Sequence, residues 1–143
     1  MGSGKTTFLK RIIDKYASEK KIGIIQNEFA PANIDGDELK KWAEAAVRIV
    51  NKAFPFDSDD VGTWPVCSRL LPHALAAADH SKALDVASDS TGRLLNQTGL
   101  YLKGRAQFAE AKEMFERALA IDEAAYGPDH PDVAISVNNF GGV

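Results

Sequence analysis

The sequence predicts a mainly α protein. Antiparallel helix pairs of solenoid type make up most of it, preceded by a helix-strand segment of α/β character. Three observations lead there. From about residue 41 onward the apolar residues recur only at helical spacings. A short pattern repeats 42 residues on, with Asn96 answered by Asn138 and Gly99 by Gly141. The first part holds the one strand-like run, residues 21–27.

The elements follow in order. In residues 6–18, Phe8, Leu9, Ile12, Ile13 and Tyr16 form one apolar helical stripe. Residues 21–27 are short, β-branched and nearly continuously apolar, as in a buried parallel strand. Pro31, Asn33, Asp35 and Gly36 mark a loop. A helix over 42–54 carries a stripe of Trp42, Ala45, Ala46, Ile49, Val50 and Ala53, and Pro55 ends it. Residues 57–62 are a polar loop, after which Thr63 can cap a helix with Pro65 in its first turn. Further helices are predicted over 64–80, 89–103, 105–126 and from 131 onward. Gly127-Pro128 is a stop signal, and Pro131 sits where a first helical residue belongs. The reading divides the chain at 1–40, 41–62 and 63–143, with no Gly/Ser or Pro linker at the change of character.

Composition narrows the function classes. The chain has 143 residues, 45% hydrophobic and 26% charged, as in a soluble globular protein. Seventeen basic against twenty acidic residues give a net charge of -3, which argues against a nucleic-acid binder. No apolar run approaches the ~20 residues that cross a bilayer, and the start is not a secretory signal. A cytoplasmic protein without membrane attachment is expected. The single cysteine, Cys67, excludes an internal disulfide and a multi-cysteine zinc site.

Gly2-Ser3-Gly4-Lys5-Thr6-Thr7 is the second half of a phosphate-binding loop, G-x-x-x-x-G-K-[ST]. Glycines let backbone N-H groups turn onto phosphate oxygens, Lys5 would neutralise phosphate charge, and Thr6 would place its hydroxyl on Mg²⁺. The strand that should precede the loop is missing from the sequence, so the expectation is a non-functional nucleotide-binding fragment without a bound cofactor. Gly4-Lys5-Thr6-Thr7-Phe8-Leu9-Lys10, Ile24-Ile25-Gln26-Asn27-Glu28-Phe29 and Ile34-Asp35-Gly36 together resemble the opening of CobW-type GTPases. The resemblance covers residues 2–40. It implies GTP and Mg²⁺ at the loop, with Asn27 and Glu28 near a switch region. Ala30 stands where that family has glycine, and its Cys-x-Cys-Cys metal motif is absent.

Between the two copies of the repeat lie Ala111, Phe115 and Ala118. Small residues at Gly99, Ala111 and Ala118 suit closely crossing helices, with Phe115 expected between neighbouring pairs. The run Glu116-Arg117-Ala118-Leu119-Ala120-Ile121, followed by Tyr126-Gly127-Pro128-Asp129-His130-Pro131, resembles kinesin-light-chain-like tetratricopeptide repeats. Trp42 to Val47 and Trp64 to Ala74 are similar to the stretch leading into such repeats in bacterial STAND-type signalling proteins. This implies an interaction scaffold without chemistry of its own. Arg93, Asn96, Leu100 and Lys103 share one face of the first helix of the pair. By resemblance that face lines a peptide groove, and Asn138 adds the next rung.

Other signals are set aside. Asp57 and Asp59 lack the remaining ligands of a calcium loop. His73 and His80 have no third metal ligand. Glu113 and Arg117 form an i, i+4 surface pair. Three readings stand: an interaction scaffold, a GTP-binding metallochaperone-type NTPase, and a join of two unrelated pieces without a function as a unit. Val137, Phe140 and Val143 are expected to lie uncovered at the last helix, inviting fraying or self-association.

Overall fold

The computed structural model describes residues 36–143. Helix α1 spans Gly36–Ala53, a 3-10 turn covers Val61–Thr63, and α2 spans Trp64–Leu84. Helices α3 (Ser88–Gly104), α4 (Phe108–Tyr126) and α5 (Pro131–Gly141) follow. The described residues contain no strand. The helix at 6–18, the strand at 21–27 and the phosphate loop lie outside them.

Helix α1 starts earlier than residue 42 and runs unbroken through 40–41, where the sequence suggested a change of character. Asp37 and Glu38 in its first turn favour the positive end of the helix dipole. Its buried face also differs from the expected stripe. Leu39, Ala43 and Val47, spaced i, i+4, i+8, are fully buried, whereas Trp42 and Ile49 are exposed. The buried row lies about a quarter-turn round the helix from the expected one. Periodicity shows that a helix has an apolar side, and packing in the folded chain selects which side is covered.

Helix α2 begins at Trp64 with Pro65 in its first turn. Thr63 occupies the cap position, but its hydroxyl donates to the Asp57 and Asp60 carbonyls rather than accepting from the helix. The α2–α3 turn reverses through Asp85 and Ala87, both left-handed. Ser81 closes it from within. Its hydroxyl bonds the Val86 carbonyl and lies 2.5 Å from Thr91 Oγ1. Thr91 in turn donates to the Ala87 carbonyl. Both hydroxyls are buried and satisfied, so the seam carries no unmet polar cost.

The α3–α4 hairpin is the largest helix-helix contact. Its crossing point is Gly99. A Cβ there would fall 2.5 Å from Cε1 of Phe115, which is fully buried. Phe115 therefore fills the space vacated by glycine within one hairpin, not a gap between neighbouring hairpins. Helix α4 starts at Phe108 rather than 105 because α3 ends in a Schellman turn. Ala106 is left-handed (φ 61), its N-H reaches the Lys103 carbonyl, and the Gln107 N-H reaches the Leu102 carbonyl.

Gly127, at φ 81 and ψ 164, ends α4 in backbone open to glycine alone. Pro131 opens α5, whose N-cap is His130. Its Nδ1 accepts from the Asp132 N-H at 3.2 Å. Val137 and Val143 are exposed, as expected. Phe140 is not: it packs on the core, with Lys112 Nζ 5.7 Å from its ring centre. Arg117 pairs with Asp79 at 2.7 Å, bridging α4 to α2 instead of closing a pair with Glu113. Among the described residues no helix is long and apolar enough to cross a membrane.

Candidate peptide groove

Helices α3 and α5 lie side by side, as first helices of successive hairpins do, and leave an open groove of ≈ 660 Å³. Asn51 at the end of α1 and Phe56, Asp57 and Asp59 of the following loop form one wall. Helix α3 contributes Asp89, Arg93, Asn96, Gln97 and Leu100, and α5 contributes Asp132, Ile135 and Asn139. Asp122 and Tyr126, from the end of α4, complete the lining.

The loop wall is pinned by a buried serine. Ser58 Oγ lies 2.7 Å from the Gln97 carbonyl and 2.8 Å from its Oε1. Phe56 is left largely exposed, and Arg93 lies over its ring with 5.4 Å from the guanidinium carbon to the ring centre.

A buried chain of polar groups ties α3, α4 and α5 together. Asn96 Nδ2 donates to Ser136 Oγ at 2.7 Å, and Ser136 donates to Asp122 Oδ2 at 2.6 Å. Asn139 Nδ2 donates to Asn96 Oδ1 at 3.3 Å. Asp122 fits because residue 92 is glycine: a Cβ there would fall 2.2 Å from Asp122 Oδ1. Burial pushes the Asp122 carboxyl above its ordinary pKa. Nearby Asp132 adds to the rise, while the Ser136 hydrogen bond and His130 oppose it. The Tyr126 hydroxyl is also pushed up, first by lost hydration and then by Asp89, Asp132 and Asp122. Its ring stacks on His130 at 4.4 Å.

The groove brings together Arg93, Asn96 and Leu100 of the sequence-derived set. Lys103 and Asn138 stand away from it. Lys103 Nζ would be 3.0 Å from a Cβ on Gly142, which places the ammonium at the C-terminal end of α5. Asn138 is exposed, and Asn139 takes the lining position. Asn96 is buried and committed to Ser136 and Asn139, so it braces the helices rather than offering a free amide. Sequence reasoning passed over Asp122, Tyr126, Ile135 and Asn139. Adding the 42-residue period to Arg93 and Gln97 points to the last two. Asp122 carries no such signal, because its neighbour Gly92 lies thirty positions earlier.

Gly2, Ser3, Gly4, Lys5, Thr6 and Thr7, with Asn27 and Glu28, lie outside the described residues. Among the described residues no cluster of three or more His, Cys, Asp or Glu could hold a metal ion. Cys67 is fully buried, and burial pushes its thiol up, away from the nucleophilic thiolate.

Side-by-side hairpins with a lined groove define a helical-repeat architecture. Comparison with known families gives two matches. A model of the tetratricopeptide repeat matches residues 90–143, which span nearly all of α3 together with α4 and α5. A model of the CobW/HypB/UreG nucleotide-binding domain matches residues 1–59, reaching through α1 into the Phe56–Asp59 wall. No curated protein and no solved structure matches the chain.

Proposed function

We propose that the chain is a protein-interaction scaffold whose α3–α5 groove holds an extended segment of a partner. The observation that carries this is the groove itself. It is long, open and lined by successive first helices of a tetratricopeptide segment. Backbone carbonyls and N-H groups of an extended segment can meet Gln97 and Asn139, while Leu100 and Ile135 offer apolar contact.

The test is selection of short peptides from a degenerate library, repeated with Ile135→Gln, which removes the apolar contact and adds no charge. Ile135 is 56% exposed, so the variant keeps its core. Selective binding weakened by the variant supports the reading. Binding indifferent to Ile135→Gln places the contact elsewhere and refutes it.

A second reading is favoured by the match at residues 1–59. In it Gly2, Ser3, Gly4, Lys5, Thr6 and Thr7 bind the phosphates of GTP, Thr6 reaches Mg²⁺, and Asn27 and Glu28 respond to the nucleotide. Titration of a fluorescent GTP analogue with Mg²⁺ tests it. Saturable binding lost in Lys5→Ala supports nucleotide binding, and no saturation refutes it.

A further inference from the structure

The charge of the groove narrows its occupant. Five aspartates line it (Asp57, Asp59, Asp89, Asp122 and Asp132) against a single lining arginine, Arg93, whose guanidinium lies over Phe56, with Arg48 4.0 Å from Asp89 and His130 3.8 Å from Asp132. Resting on the peptide-groove reading, we infer that the groove selects an extended protein segment bearing lysine or arginine, with one basic side chain reaching Asp122 between Asp89 and Asp132.

Asp122 is the strongest reason. It is 4% exposed, yet it lines the groove. Its carboxylate accepts one hydrogen bond, from Ser136, and no lysine, arginine or histidine among the described residues forms an ion pair with it. A buried carboxylate without a cation is costly, and an incoming ammonium or guanidinium relieves that cost with a charge-assisted hydrogen bond. The raised pKa of Asp122 agrees with an uncompensated site.

Three further features fit a chain rather than a small ion. The carboxylates do not converge: no set of three among the described residues could hold one metal ion. They are spread over the α1–α2 loop, α3, α4 and α5, as suits successive basic residues of an extended segment. Asn51, in the opposite wall, carries a buried Oδ1 without a hydrogen-bond partner. The exposed ring of Tyr126 offers a face for the aliphatic stem and the cation.

The experiment uses the full chain and three fluorescent peptide libraries read by anisotropy. Each library has neutral degenerate flanks, and the fixed centre is lysine, norleucine or glutamate. Norleucine keeps the aliphatic stem and removes the charge. The inference expects the lysine-centred library to bind about tenfold tighter than the norleucine-centred one, with glutamate weakest. The preference should shrink in Asp89→Asn and Asp132→Asn, whose side chains are each 55% exposed and can change without disturbing the core. It should also shrink at high salt. Equal binding of lysine and norleucine libraries, with both weakened by Ile135→Gln, overturns the charge selection and leaves the groove reading standing. Absence of binding by every library, or binding untouched by Ile135→Gln, overturns both.

Discussion

Gly99 and Gly141 occupy the same place in the two copies of the repeat, yet alanine should act oppositely at each. At Gly99 the new methyl would fall 2.5 Å from Phe115 Cε1 and 2.8 Å from Cδ1 and Cζ. Phe115 is fully buried, so it cannot swing into solvent to make room. Forcing extra volume into a packed core costs up to about 3 kcal/mol. Alanine regains about 1 kcal/mol of helix propensity over glycine. The net loss is therefore about 2 kcal/mol, a urea midpoint lower by about 1 M for a slope near 2 kcal/mol/M. At Gly141 nothing lies within 4 Å of the new methyl, so Gly141→Ala should gain about 0.5 kcal/mol through backbone entropy alone. Urea unfolding followed by circular dichroism measures both. Adding Phe115→Leu to Gly99→Ala should recover part of the loss, appearing as a coupling energy in a double-mutant cycle. If Gly99→Ala is as harmless as Gly141→Ala, the close crossing of α3 and α4 is wrong.

Ala106 holds a left-handed turn position that normally favours glycine, so Ala106→Gly should raise stability by about 0.5–1 kcal/mol in the same assay. Gly127→Ala should lower it by about 1–3 kcal/mol, because φ 81 with ψ 164 is glycine-only backbone. Asp122 gives a pH signature. Its folded pKa is raised, so its contribution is fully present below the unfolded carboxylate range and is lost as pH rises through the folded value. The groups facing or sharing its groove are Ser136, His130 and Asp132 of the α5 region, Asp89 and Arg93 of α3, and Tyr126 of α4. Unfolding free energies between about pH 4 and about pH 7 should decline less in Asp122→Asn than in the native chain, and parallel curves would refute the assignment.

Helix positions were legible where punctuation is local. Pro65, Gly127 and Pro131 mark ends that depend on one residue's backbone, and the observed helices start or stop there. The Schellman turn at Ala106 was not legible, since alanine gives no sign of a left-handed bend. The covered face of α1 was misread because both rows of apolar residues satisfy the helical period, and only packing in the folded chain separates them. The groove was half legible. Arg93 and Leu100 follow from the face of one helix, but the commitment of Asn96 to Ser136, which in turn donates to Asp122, needs three helices in register. Asp122 reads in sequence as an ordinary acid near a helix end. Its role depends on the missing side chain at Gly92.

Amide chemical-shift mapping of the labelled chain with a bound lysine-centred peptide tests the groove most directly. The account predicts shifts concentrated at Arg93, Gln97, Asp122, Ile135 and Asn139. Shifts concentrated instead around Lys82, Glu116 and Ala120 of the α2–α4 surface would contradict it.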